Sequence, residues 1–355
     1  MKKLLMTAVV CMYIAAAGQA AGQAAGQSQP KQQTERQTEA LSAAEAQTRH
    51  AVVALSSIYM RIAPDYESAL ETQELMGTVV EVTGEKGYWR EIVSPQPYKA
   101  WCTEKGIVEM GPEAIEAYKA APKCIFTDLY GHVYENPSCT AATVCDLVGG
   151  DVLRLAGGKG SNGKGSKGKG CKGKGRWTAV ILPSGQTGWV KSDQIRPHEG
   201  FRSIAMGEGN AESISDRVME DVIATAFRLK GVPYLWGGMS PKGVDCSGLV
   251  RWSCLMNGIL LPRNASQMIS CGDEVPLTLP QDGNAPGIDN LQRGDFVFFG
   301  APARDGAKQR VTHVGIYIGN NRIIHSSHLV RVNSLIPGDE DYYENAHKLI
   351  AARRL

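Results

Sequence analysis

Gly231-Val232-Pro233-Tyr234-Leu235-Trp236-Gly237-Gly238, followed shortly by Asp245-Cys246-Ser247-Gly248-Leu249-Val250, decides how the C-terminal part of this chain is read. A glycine-rich aromatic turn leads into Leu249, Val250, Trp252, Cys254 and Leu255, the apolar face of a buried helix whose first turn carries Cys246. Two histidines follow far downstream, in Thr312-His313-Val314-Gly315 and Ile324-His325-Ser326. A helix N-terminus presents unpaired N–H groups and a partial positive charge. That environment favours thiolate over thiol and can stabilise an oxyanion. A nucleophilic sulfur also needs an imidazole to accept and return protons.

Val311 to Ile318 alternates as a strand, with Thr312, Val314, Ile316 and Ile318 on one face and His313 on the other, beside Gly315. A three-residue Gly319-Asn320-Asn321 loop pairs Ile318 with Arg322, because Gly and Asn tolerate positive φ. That register sets His325 opposite Gly315, one diagonal step from His313 on the same face. His325 then orients the His313 ring; a two-residue loop would send it to the other face. Asp295 reads as a turn or strand-start residue.

Residues 50–197 contain an internal repeat. Gly87-Tyr88-Trp89 precedes Trp101 by the same spacing as Gly175-Arg176-Trp177 precedes Trp189, and Leu75 to Val82 matches Leu147 to Leu155. The second copy is longer in between, where 157–175 alternates Gly, Lys and Ser. This insert reads as a solvated hairpin tip, the alternative being a basic lure for anionic polymers. Each copy consists of short alternating runs separated by turns, the pattern of a small all-β barrel. The expected units are barrels at 50–118 and 123–198, then a domain at 211–355. That last domain opens with a helix over 213–230, bearing Val218, Val222, Ile223, Ala226 and Leu229, and continues into strands at 295–299, 311–318 and 322–325. The helices followed by consecutive strands predict an α+β domain with an antiparallel sheet.

Met1-Lys2-Lys3 and the apolar run to Ala17 read as a signal peptide over 1–20, so export to the periplasm or outside the cell is expected. Residues 21–49, rich in Ala, Gly and Gln, form a disordered linker. No other segment suits a transmembrane span. The formal charge of +2 and pI near 8.0 suggest no nucleic-acid partner. Of nine cysteines none forms Cys-x-x-Cys, so neither metal nor other cofactor is expected, and some cysteines can pair in an oxidising compartment. A monomer is expected.

The two copies resemble bacterial SH3 (SH3b) domains; Gly188-Trp189-Val190 keeps that family's ending, whereas Ala100-Trp101-Cys102 departs from it. Residues 211–355 resemble the NlpC/P60 family of papain-like cysteine peptidases, on the motifs quoted above together with Gly294-Asp295-Phe296-Val297-Phe298-Phe299. The resemblance implies Cys246 as nucleophile, His313 as base, His325 as orienting residue, and hydrolysis of peptidoglycan stem peptides without a cofactor. Paired SH3b domains ahead of such a domain resemble γ-D-glutamyl-L-diamino acid endopeptidases of the dipeptidyl-peptidase VI type, which tend to require a free N-terminal L-alanine. That likeness implies substrate contacts at Tyr234, Asp245 and Ser247, with Trp236 framing the cleft. It also implies an aromatic or acidic residue from the first barrel on the free amine, for which Tyr98 is the candidate. Where the subgroup often shows aspartate-serine after Leu261-Pro262-Arg263, Asn264-Ala265 stands here. The alternatives are an inactive wall-binding module, or an amidase or acyltransferase on the same scaffold.

Overall fold

The computed structural model describes residues 48–95, 98–157, 176–204, 206–207, 214–278, 287–303 and 309–355, and the backbone of 166–167. The signal and almost all of the linker expected from the sequence lie outside these residues, as does most of the Gly/Lys insert.

Two antiparallel sheets come first. The strands between Arg49 and Met110 form a seven-stranded sheet around Ala51, Met60, Val80, Ile92 and Cys102. Seven strands between Lys123 and Pro197 repeat the same order around Phe126, Val133, Leu153 and Val190. Trp89 pairs with Thr103 and Trp177 with Lys191, equivalent places in the two ladders. Both domains fit the SH3b pattern. The backbone of Ser166–Lys167 pairs with Arg176–Trp177, so this part of the insert extends the hairpin. A helix over Pro112–Ala120 joins the two sheets, starting on a proline whose missing N–H costs nothing there.

The third domain is α+β. Its six-stranded sheet runs in the order Asp273–Glu274, Leu349–Arg354, Phe296–Ala301, Arg310–Tyr317, Arg322–Ser327, Leu329–Ser334, antiparallel throughout. The helix Cys246–Leu255 packs Leu249, Val250 and Trp252 against Phe296, Phe298, Val314 and Ile316 on one face. Phe299, Tyr317, Tyr343 and Leu349 fill a second core. Asp295, 1 % exposed, accepts from the Gln292 amide and pairs with Arg354, so it ties the turn to the last strand.

The three domains share cores. Leu75 and Val148, from the two barrels, sit in the same cluster as the third-domain helix Cys246–Leu255. Trp252, fully buried, donates its indole N–H to the Gly149 carbonyl at 2.6 Å. Lys242 reaches Ser56 and Asp146 of both barrels at 2.8 and 2.7 Å, and Tyr130 donates to the Pro241 carbonyl. Trp252→Phe leaves the Gly149 carbonyl buried without a donor. A loss of about 1–3 kcal/mol is expected, read as a lower denaturant midpoint for the whole cooperative unit.

Candidate functional site

Cys246 is the first residue of its helix and Asp245 is the N-cap. The Asp245 carboxylate, 7 % exposed as a residue, accepts from the Gly248 amide at 2.6 Å, the Gly237 amide at 3.0 Å and the Ser247 hydroxyl at 3.1 Å. Arg263 closes this network, with Nη2 2.6 Å and Nη1 3.1 Å from the two carboxylate oxygens and Nη1 2.9 Å from Ser247 Oγ. Its Nε donates to Thr72 of the first barrel at 2.7 Å. Asp245 and Ser247 thus brace the helix start from beneath Cys246.

The hairpin takes the three-residue loop. Ile316 pairs with Ile324 and Tyr317 with Ile323, the Ile318 amide donates to the Arg322 carbonyl, and Gly319, Asn320 and Asn321 all have positive φ. His325 consequently faces Gly315, where a Cβ would come within 3.2 Å of the His325 Cβ. His313 Nε2 lies 2.7 Å from His325 Nδ1, and His325 Nε2 lies 2.9 Å from Asn333 Oδ1. The Tyr343 ring packs against both imidazoles, at 5.5 and 4.7 Å between centroids.

Cys246 carries a free thiol. It lies against the His313 strand: backbone hydrogen bonds from Val314 and Ser247 pull its acidity towards thiolate. Burial and the Asp245 charge outweigh them and raise the thiol to about 11. Burial, aided by His325 and Arg331, lowers His313 to about 3, and burial lowers His325 to about 4. Burial therefore works against the charged form of the sulfur and of both rings, and opposes the pull of the helix start towards thiolate.

The sequence candidates are brought to one place in part. Tyr234 is half-buried beside Cys246 and Asp245, which together with burial raise its phenol. Its amide donates to the His328 carbonyl, a residue held at positive φ. Trp236 is 65 % exposed, at the rim. Gly237, at φ +74°, passes so close to the first barrel that a Cβ would sit 3.0 Å from the Glu71 carbonyl. Tyr98 donates to Glu71 Oε1 at 2.5 Å and is hydrogen-bonded to Asn264 as well. Glu71, Thr72, Arg263, Asn333 and Tyr343 were not singled out from the sequence, because their roles depend on contacts between distant segments. Only the diagonal pairing of Asn333 with His325 carried a local signal. Among the described residues no group of three acidic, His or Cys side chains is arranged for a metal, and no helix is long and apolar enough to cross a membrane.

An α+β domain with a free thiol at a helix start and a histidine pair on the facing sheet defines a papain-like architecture. Residues 231–348 match the NlpC/P60 family, so the chain carries an NlpC/P60 domain, homologous to named γ-D-glutamyl-L-lysine dipeptidyl-peptidases. It is 28 % identical over 287 residues to a γ-D-glutamyl-L-lysine dipeptidyl-peptidase of Bacillus cereus, covering 76 % of this chain and 70 % of the relative. Dipeptidyl-peptidase 6 of Lysinibacillus sphaericus is 25 % identical, over 77 % and 86 % of the two chains. A crystal structure of an NlpC/P60 family protein from Bacillus cereus shares the fold, with a TM-score of 0.62 at 22 % identity over 86 % of this chain and 99 % of that one.

Two outcomes follow for pH and charge. Unfolding frees the imidazoles to titrate near 6.5, whereas the folded rings stay neutral until much lower pH. The unfolded chain thus binds more protons between those values, and stability must fall as pH drops below about 6.5. Melting temperature against pH should show this slope, and His313→Gln should flatten it. Arg263→Met strands a buried carboxylate and should cost about 3–5 kcal/mol in denaturant titration.

Proposed function

We propose that this protein is a cell-wall peptidase that cleaves the bond between γ-D-glutamate and the diamino acid, meso-diaminopimelate or L-lysine, of peptidoglycan stem peptides. Its curated relatives are γ-D-glutamyl-L-lysine and dipeptidyl peptidases by name. The observation that carries the reading is the free Cys246 thiol bonded by the backbone next to His313, with His313 hydrogen-bonded to His325. Cys246 attacks the γ-glutamyl carbonyl as its proton passes to His313, and amides at the helix start receive the developing oxyanion. The His313 proton then goes to the nitrogen of the departing diamino acid. Water, deprotonated by His313, cleaves the resulting thioester and releases L-Ala-γ-D-Glu.

The free amine of L-alanine is met by Glu71, with Tyr98 beside it. Support comes from the Tyr98–Glu71 hydrogen bond, the approach of the Glu71 backbone to Gly237, and the absence of a cation paired with Glu71 among the described residues. Asn264 bonds Tyr98 where a second carboxylate would add charge, so a single carboxylate carries the preference. Tyr234, Asp245, Ser247 and Trp236 frame the remaining substrate. Export by the signal peptide places the reaction in the periplasm or outside the cell.

Cys246→Ala should abolish release of L-Ala-γ-D-Glu from a free tripeptide while leaving the fold intact, as followed by mass spectrometry. Residual turnover at the wild-type rate would refute the nucleophile, and a different product would favour an amidase or transferase. Glu71→Gln should lower kcat/KM for the free tripeptide about tenfold or more and leave an amino-capped stem unaffected.

A further inference from the structure

The nitrogen of His313 that faces the chemistry is chosen outside the histidine pair. In the sheet, His325 lies directly across from Arg331, and Asn333 is its diagonal neighbour on the same face. His325 is fully buried and Asn333 is 7 % exposed. Asn333 Nδ2 donates to the Asp341 carbonyl at 2.7 Å. A carbonyl oxygen can only accept, so the Asn333 amide has one orientation, and its Oδ1 must face His325. Oδ1 likewise only accepts, so the proton of neutral His325 resides on Nε2. His325 Nδ1 is then a bare lone pair, and the 2.7 Å contact with His313 requires the proton on His313 Nε2. His313 Nδ1 is left without a proton.

We propose that Asn333 is a positioning residue: acting through His325, it keeps His313 Nδ1 free to take the proton of Cys246. The inference rests on the Cys246–His313 reading above. The Asp341 carbonyl that begins the relay is itself fixed, since it also accepts from the Ser334 amide at 3.0 Å, and the Asp341 carboxylate pairs with Arg322. Arg331 opposes His325, and Tyr343 covers both rings and lies within electrostatic reach of Cys246. Among the described residues no carboxylate hydrogen-bonds either ring, so a neutral amide sets the tautomer here. An aspartate in that place would also hold it, but would stabilise the imidazolium.

The test combines nitrogen NMR of histidine-labelled protein with kinetics on the free tripeptide. In the wild type, His313 Nδ1 should give an unprotonated and Nε2 a protonated resonance. Asn333→Leu should mix the tautomers and lower kcat roughly 10²-fold, with KM little changed. Asn333→Asp gives up the donation to the Asp341 carbonyl but still accepts from His325 Nε2, so it should retain the wild-type tautomer and more kcat than Asn333→Leu while moving the acid limb of the pH–rate profile upward. A wild-type His313 protonated on Nδ1 would overturn the proposal, as would Asn333→Leu with wild-type kcat and tautomer. If the leucine variant does not fold, the wild-type spectrum and the aspartate profile decide the matter. Turnover by Cys246→Ala would sink the nucleophile assignment but leave the spectroscopic result standing.

Discussion

The buried contact between Asp245 and Arg263 is the constraint on which the site depends. One carboxylate caps the helix that begins with Cys246, fixes the Gly237 turn and holds Ser247. One guanidinium neutralises it and reaches Thr72 in the first barrel. A lone carboxylate at this depth would be costly to desolvate, and the fork geometry of arginine meets both oxygens at once. Since Asp245 precedes Cys246 directly, any shift of the pair moves the sulfur. The first barrel is therefore part of the support of the helix start that carries Cys246.

The same burial shapes the chemistry. Burial of the thiol and both imidazoles raises the pKa of the sulfur and lowers those of the rings. Burial disfavours a separated ion pair between the sulfur and the ring. In such a site, the position of each proton is set by hydrogen-bond direction. The Asn333 relay supplies that direction from a strand far from the nucleophile in sequence.

The barrels and the peptidase domain bury surface together, through Leu75, Val148 and the Trp252 indole. The union sets Glu71 and Tyr98 beside the Gly237 turn.

Much of this was legible in one dimension. Period-two alternation around His313 and the Gly319-Asn320-Asn321 loop determine the hairpin register, and with it the meeting of His313 and His325. The repeat of Trp89 and Trp101 in Trp177 and Trp189 determines two like barrels, because each is built from local hairpins. The helix start at Cys246 is written in Asp245 and the apolar run after it. What only the tertiary structure decided involves segments further apart in the chain: Arg263 under Asp245, Glu71 beside Tyr98, and the insertion of Leu349–Arg354 beside Phe296–Ala301. The ionisation state of Cys246 belongs there too. The helix amides that favour thiolate can be read locally, but the burial that outweighs them is the sum of every neighbour the fold brings in.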